Sequence, residues 1–474
     1  MKNFDLNSFF SYLDSELDSL DSKSRDKYIE EEFPNYTHIG RYVDPQDFEE
    51  RNYYSKNIER NLSDYSFGPL IAFDMNQIKY SKEILHPLCN CYRRSKSKIR
   101  PIKSSSHRDR ILYASWNYYL SHKHKKWLED EKIIDSVAAY VPKTGKFNAN
   151  YAKQAFDYIQ GREEYSAVAL DVKSFFDKIP HDHLKRNLIK LIDDGTKLNK
   201  VNYRLYKAAT KYTFIELNQL IPKLSQLESG PGMYFSRSHN NWSRLRDLSL
   251  IKNNKTEGIP QGLACSGVLA NIAMMQFDLT MTETASKSDS IYIRYADDIF
   301  IASPNKNVIQ KLYGICQIEL DNLHLPLADK KTEKFNFEKE SIIHPKISYL
   351  GLECKGSEVS VRMNGVNKFY QRTSQFIYSY VLTCQKRNIK PSKKKIRAIF
   401  SHSGKRNYYS YLRRVSNVFE NDPRYKTKGI KGVIKNHLNW IDQTFDDAMK
   451  RKPSMGRKPH KKTSVCNCPL RMDN

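Results

Sequence analysis

The sequence predicts an α+β fold, because runs with a period of two are interspersed with runs of helical character. The run Ile291-Tyr-Ile-Arg-Tyr-Ala-Asp-Asp-Ile-Phe-Ile-Ala-Ser303 has apolar residues alternating on both sides of Ala296-Asp297-Asp298. That pattern reads as two half-buried strands joined in a tight hairpin. Upstream, Ser166-Ala-Val-Ala-Leu-Asp171 is an apolar strand that ends on a carboxylate and passes into a helix. Leu263 to Asn271 is a small-residue helical stretch, Lys185 to Leu227 reads as largely helical, and Gly230-Pro-Gly232 breaks that run.

The hairpin tip holds two adjacent carboxylates, and like charges repel unless a cation sits between them. Oxygen-rich sites of this kind suit hard cations, Mg²⁺ above all. A solvated turn is the competing reading for Asp297 and Asp298 taken alone, since Asp is a common turn residue. A carboxylate at the end of a neighbouring strand, Asp171, is placed to join them. Between these elements lies Gly258-Ile-Pro-Gln-Gly262, whose glycines let backbone approach a flat substrate and whose Gln261 can hydrogen-bond a base or sugar.

Together these segments resemble the reverse transcriptases, especially the bacterial lineage that contains the group II intron, retron and defence-associated enzymes. The Asp171 segment looks like polymerase motif A, Gly258–Gly262 like motif B, and Tyr295-Ala-Asp-Asp298 like motif C. Leu325 to Thr332 looks like motif D, and Ile347 to Leu352 like the primer-grip motif E. Finger segments match at Ile99–Lys103, Arg108–Leu112, Ala139-Tyr140 through Gly145, and Asn148-Ala-Asn150, so the resemblance covers residues 86 to 356 in the family's order. It implies a right-hand polymerase fold with fingers, a ferredoxin-like palm and a helical thumb.

The resemblance also implies roles. Asp171 and Asp297 bridge two Mg²⁺ ions (Mn²⁺ as an alternative), Asp298 supports them, and the carbonyl of Val172 adds a ligand. Arg100, Lys103, Arg108 and Arg110 hold the triphosphate, with Arg110 the best candidate. A solvated basic loop competes for Lys103 and Arg108. Lys331 matches the motif D lysine that resembles a general acid for pyrophosphate, against ordinary surface charge. Phe176 occupies the place of the bulky ring that excludes a ribose 2′-hydroxyl. Phe175 and Phe176 could both be core, but consecutive helical residues point about 100° apart. Asp177, Asp182, His181 and His183 read as helix-surface residues.

Composition agrees with a polyanionic partner: 79 Lys+Arg oppose 53 Asp+Glu for a net charge of +26. Residues 361 to 474 hold 27 Lys+Arg and 6 Asp+Glu, whereas residues 1 to 50 hold 5 and 13. Many of the 31 tyrosines lie among the C-terminal cations, placed to stack on bases or to pack a helical thumb. These shifts divide the chain into an acidic N-terminal extension (1–85), fingers and palm (86–356), a basic thumb-like region (357–449) and a basic flexible tail (450–474). The opening, Phe4 to Leu20, carries a helical apolar pattern suited to covering the fingers or meeting another subunit, so a homo-oligomer stays open.

No run is apolar enough for a membrane span and the start is acidic, so a cytoplasmic protein with reduced thiols is expected. Cys89-Asn-Cys91 and Cys466-Asn-Cys468 lack the spacing of a zinc ribbon or finger. The expected activity is RNA-directed DNA polymerisation from deoxynucleotide triphosphates, making a DNA product on an RNA template. Maturation, nuclease, ribonuclease H and integrase constellations are not evident, nor is a retron Val-Thr-Gly signature. The expectation is therefore a stand-alone, defence-associated bacterial enzyme of the unknown-group type that copies a dedicated non-coding RNA. Protein-primed or template-independent synthesis by the same site, and a non-catalytic RNA-binding scaffold, are the alternatives.

Overall fold

The computed structural model describes residues 4–33, 42–54, 62–86, 91–192, 196–226, 240–254, 257–328, 331–338, 344–400 and 408–450. The basic tail beyond residue 450, Gly230-Pro-Gly232 and three of the four cysteines of the Cys-x-Cys pairs lie outside the described residues.

The N-terminal apolar pattern folds as the helix Leu6–Asp18, capped by Asp5, which accepts from the backbone N–H groups of Asn7 (3.0 Å) and Ser8 (2.9 Å). Its buried stripe is Leu6, Phe9, Phe10, Leu13 and Leu17. The stripe lies on the long helix His107–Asp130, where Phe9 meets Tyr118 at 6.0 Å and Tyr12 stacks on Tyr118 at 4.3 Å between centroids. The N-terminal helix therefore covers a long helix of its own chain.

Next comes a long antiparallel ribbon, β1 (Leu70–His86) and β2 (Cys91–Ser104). The boundary expected at residue 85 thus cuts a strand, and the extension ends before residue 70. Asp74, Asn76, Gln77, Lys79, Lys82 and Glu83 leave β1 without apolar alternation, so local pattern could not reveal it. Further on, β3 (Tyr165–Asp171) is followed by helices His181–Ile192 and Lys200–Thr210. The run expected to be largely helical also contains β4 (Thr213–Glu216), which pairs parallel with β1, while β5 (Lys252–Asn253) pairs antiparallel with β4. A four-residue strand whose partner lies more than a hundred residues away leaves almost no local signal.

The central sheet is antiparallel, in the order β6 (Ile291–Tyr295), β7 (Asp298–Ser303), β3, β8 (Glu333–Phe337). Helices Ser266–Ala273, Met275–Ser286 and Lys306–Asn322 cover one face through Leu269, Met281, Leu312 and Cys316. The other face packs on Asn148–Ile159 through Ala152, Phe156 and Phe300. A smaller sheet joins β9 (Ile347–Tyr349), β10 (Leu352–Lys355) and β11 (Glu358–Val361), so the boundary expected at 356 divides a hairpin.

Beyond it come four helices, Met363–Lys386, Lys393–Phe400, Tyr408–Glu420 and Lys428–Lys450. Ile441 and Phe445 are core, and Trp440, half-buried, meets Tyr370 at 4.4 Å. Several of the C-terminal tyrosines pack: Tyr408 stacks on Phe369 at 5.2 Å, and Tyr411 accepts at 3.0 Å from the amide of Asn148, joining the C-terminal helices to the helix Asn148–Ile159. Among the described residues no helix is long and apolar enough to cross a membrane.

Because Leu13 is 1% exposed in the helix that covers His107–Asp130, Leu13→Ala should cost about 2–5 kcal/mol of stability. Thermal or urea unfolding checks this, and an unchanged midpoint would mean that the extension is not part of the cooperative core.

Candidate active site

Strands β6 and β7 are joined by two residues, Ala296 and Asp297, with Tyr295 paired to Asp298. Ala296 has φ +55°, a left-handed conformation that a non-glycine residue adopts at an energetic cost. Antiparallel register sets Asp171 opposite Asp298, and the Val172 N–H donates to the Asp297 carbonyl at 3.0 Å. The Ala328 N–H donates to the Asp171 carbonyl at 2.8 Å and the Lys173 N–H to the Pro326 carbonyl at 2.8 Å. Backbone pairing alone thus brings three distant segments and their carboxylates together.

A buried network braces the turn from behind. Arg294 and Asp278 are both fully buried, joined by Nη2–Oδ2 at 2.5 Å and Nε–Oδ1 at 2.7 Å. A second Arg294 nitrogen, Nη1, donates to the Ala296 carbonyl at 3.1 Å and to Asn271 Oδ1 at 3.2 Å. Tyr292 donates its hydroxyl proton to Asp278 at 2.7 Å. Arg294 thereby supplies a fixed donor to the one turn carbonyl that no strand partner reaches. The alternating pattern marked Arg294 only as a charge inside an apolar strand, and Asp278 carried no motif signal.

The carboxylates divide between two clefts. Asp171 and Asp297 line a cavity of about 680 Å³ together with Arg100, Tyr140, Phe176, Gln261 and Lys331. Asp171 and Asp298 line a neighbouring cavity of about 460 Å³ with Tyr295, Leu350, Gly351 and Arg362, beside the β9–β10 turn. Burial, then the charges of Asp297 and Asp171, push the Asp298 carboxyl up to about 7, against the opposing pull of Lys331 and Arg362. Lys331 forms an ion pair with Asp171.

Among the described residues no three His, Cys, Asp or Glu side chains are drawn together as a ready-made metal site. The donor set nonetheless fits hard divalent cations. It is all oxygen, it is anchored by backbone pairing, and its crowded negative charge already raises the proton affinity of Asp298.

The other sequence candidates separate clearly. Phe175 is 3% exposed and belongs to the core, only touching the edge of the larger cavity, while Phe176, its ring 5.5 Å away and partly exposed, lines that cavity with Gln261. Arg100 lines that cavity, but three other expected triphosphate ligands do not. Lys103 lies over the rings of Tyr212 (5.7 Å) and Phe214 (5.4 Å). Arg108 lies over Tyr53 (4.7 Å) near Glu50 (3.7 Å), and Arg110 donates to the Glu32 carbonyl at 2.5 Å. The covering extension has turned both arginines towards itself.

Asp177 and Asp182 are exposed, as expected. His181 is buried and His183 half-buried rather than both lying on the surface: the rings meet the Gly258 carbonyl at 2.7 Å and the Ala273 carbonyl at 2.9 Å. Burial lowers both imidazole pKa values, which favours the neutral ring. Gly262 has φ +132°, and a Cβ there would lie 2.6 Å from the Lys103 carbonyl, while the Lys103 N–H donates to the Gln261 carbonyl at 2.9 Å. A glycine is needed for the Gln261 loop to touch the base of β2.

The profile of the reverse transcriptase (RNA-dependent DNA polymerase) family matches residues 95–354, the span that holds all three carboxylates. The chain belongs to the reverse transcriptase family. The matched domain is accordingly of the reverse transcriptase (RNA-dependent DNA polymerase) kind. No curated protein matches the sequence.

Similar solved structures include apo telomerase from Candida tropicalis truncated from the C-terminal domain, at 13% identity and a TM-score of 0.38, covering 64% of this chain and 57% of that one. The full apo telomerase from Candida tropicalis gives 13% identity and 0.40, covering 85% and 67%. Telomerase from Candida albicans in complex with a TWJ fragment of telomeric RNA gives 13% identity and 0.38, covering 88% and 68%. The chain thus spans 57% of the first of these proteins.

Two outcomes follow from this geometry. With its carboxyl held near 7 in the folded protein and near 4 when unfolded, Asp298 favours folding most at low pH and loses that contribution as pH rises. Melting in a chelator should therefore show a pH-dependent decline between about pH 4 and about pH 7. Asp298→Asn should flatten it; an unaltered profile would assign the decline elsewhere. Arg294→Met strands the buried Asp278 charge and should cost about 3–5 kcal/mol. Adding Asp278→Leu should recover part of that loss in denaturant titrations, whereas strictly additive losses would rule out coupling.

Proposed function

We propose that this chain copies RNA into DNA by phosphoryl transfer at Asp171, Asp297 and Asp298. The observation that carries the reading is the shared placement of Asp171. It lines both the cavity with Phe176, Gln261 and Lys331 and the cavity beside the β9–β10 turn. A primer end in the smaller cavity and a deoxynucleotide triphosphate in the larger would meet at its carboxylate. Asp171, Asp297 and the Val172 carbonyl would hold two divalent ions, Mg²⁺ in the cell, with Asp298 supporting, and these supply charge neutralisation for the attacking and leaving oxygens.

The protein's own side chains do the rest. Lys331 and Arg100 neutralise phosphate charge, and Lys331, released from Asp171, is positioned to give a proton to pyrophosphate. Gln261 offers an amide to the base or sugar. The Phe176 ring narrows the cavity where a ribose 2′-hydroxyl would sit, so deoxynucleotides are the substrate.

The basic thumb gives a salt-dependent grip on the template–product duplex. Its four helices carry Lys393, Lys394, Lys395 and Arg397 on one short segment. The template we propose is a dedicated non-coding RNA, copied in the bacterial cytoplasm as part of antiphage defence. The support for this reading is the likeness of the motifs to the stand-alone bacterial group and the chain's own acidic extension.

Purifying the protein with its bound nucleic acid, and sequencing RNA and DNA beside Asp297→Asn, tests the reading. DNA complementary to one bound RNA and lost in the variant is the expected result. Homopolymer DNA would replace templated by untemplated synthesis, and bound RNA with no mutation-sensitive DNA would leave an RNA scaffold. Phe176→Ala should raise ribonucleotide incorporation relative to deoxynucleotide by about tenfold or more, since a clash worth roughly 1.4 kcal/mol is removed. An unchanged ratio would take Phe176 out of sugar selection.

A further inference from the structure

A third cavity, of about 590 Å³, lies behind the nucleotide cavity and is lined by Asn117, Ser121, Ser266 and Gly267, with Glu32 at its edge. Arg100, Tyr140, Phe176 and Gln261 line both. These four residues form the partition, and Tyr140 is its least ordinary member. The residue has φ +60°, left-handed backbone that a tyrosine rarely adopts. Its side chain is large and apolar yet 49% exposed. It meets Phe176 edge-on at 6.4 Å and 81°.

The ring lies flush on the motif B helix: a Cβ at Gly267 would stand 2.5 Å from Tyr140 Cδ1. Gly267 is therefore the clearance that lets the ring occupy this place. The backbone leading to it is tied to the network behind the catalytic turn. Asn271 donates to the Ala139 carbonyl at 2.7 Å, and the Ala138 and Arg294 N–H groups bond reciprocally to the Arg294 and Ser136 carbonyls at 2.9 and 2.8 Å. A half-exposed aromatic ring held this firmly at a boundary between two cavities is a rigid surface, not a packing remnant.

We propose that Tyr140 is a specificity-determining residue, the wall against which the base pair being formed is gauged. The inference rests on the polymerase reading above. The incoming deoxynucleotide occupies the cavity with the carboxylates, and its template partner occupies the cavity lined by Asn117, Ser121 and Ser266, whose uncharged polar groups suit a nucleobase edge. Every base has a π-face, so a fixed ring favours any correctly placed pair without reading its sequence. A mispair of different width meets a ring that Gly267 and the strained backbone hold in place.

The test is steady-state incorporation on a poly(rA)–oligo(dT) template–primer with dTTP, and with dCTP as the wrong nucleotide. Tyr140→Ala should raise the KM for dTTP about tenfold, leave kcat within about threefold, and narrow the preference for dTTP over dCTP. Tyr140→Phe, which keeps the ring, should recover most of the lost affinity. Gly267→Ala, which displaces the ring without removing it, should move KM and preference in the direction of Tyr140→Ala. Should Gly267→Ala melt far below the wild type, Tyr140→Leu serves as the second variant, keeping apolar bulk without a π-face. Wild-type KM and preference in Tyr140→Ala, or an equal fall in kcat with KM unchanged, would overturn the proposal while leaving the polymerase reading intact. A wild-type protein that incorporates nothing would overturn both.

Discussion

Three carboxylates held within one turn and one strand end repel each other, and the fold must oppose that repulsion with something other than the side chains that carry it. The opposing structure is the buried pair of Arg294 and Asp278. A charge pair with no solvent contact is costly to assemble and still more costly to break by halves. Here it yields a guanidinium held by Asp278 through two of its nitrogens, whose third reaches the Ala296 carbonyl at 3.1 Å and Asn271 at 3.2 Å. The strained φ of Ala296 persists because its carbonyl is gripped from within the protein. Arg294 also ties down the Ser136–Tyr140 segment, through its own backbone and through Asn271, so the carboxylate turn and the Tyr140 ring share a single brace.

The positions of Asp171, Asp297, Asp298 and Gln261 were legible in the sequence because they are set by local pattern: a period of two that changes at a turn, a strand that ends on a carboxylate, a glycine-bounded loop. Phe176 stood out only through the resemblance to a family. The strands of the central sheet carried the same alternating signal, and the N-terminal helix was legible through its apolar spacing.

What was not legible depended on direction and distance. Arg108 and Arg110 carry the right charge, but charge does not say where a side chain points, and Arg110 is turned by a carbonyl 78 residues upstream. His181 and His183 looked like surface residues because the carbonyls they meet, at Gly258 and Ala273, belong to segments far along the chain. β1 and β4 were hidden for a related reason. Their partners are remote, and their own residues are polar or too few to set a period. Asp278 lay unnoticed on an amphipathic helix until Arg294 was seen beside it.

The contact between the base of β2 and the Gln261 loop consists of a backbone N–H, a backbone carbonyl and the empty space at Gly262. No side chain takes part in that hydrogen bond, so exchanging side chains at position 103 leaves its donor in place, and only proline there removes the N–H. The joint is consequently tolerant of drift on one side and intolerant on the other. Over evolutionary time the β1–β2 ribbon can change its chemistry freely while remaining seated on the same point of the Gln261 loop. In a comparison of distant relatives such a joint would leave no trace except a solitary glycine.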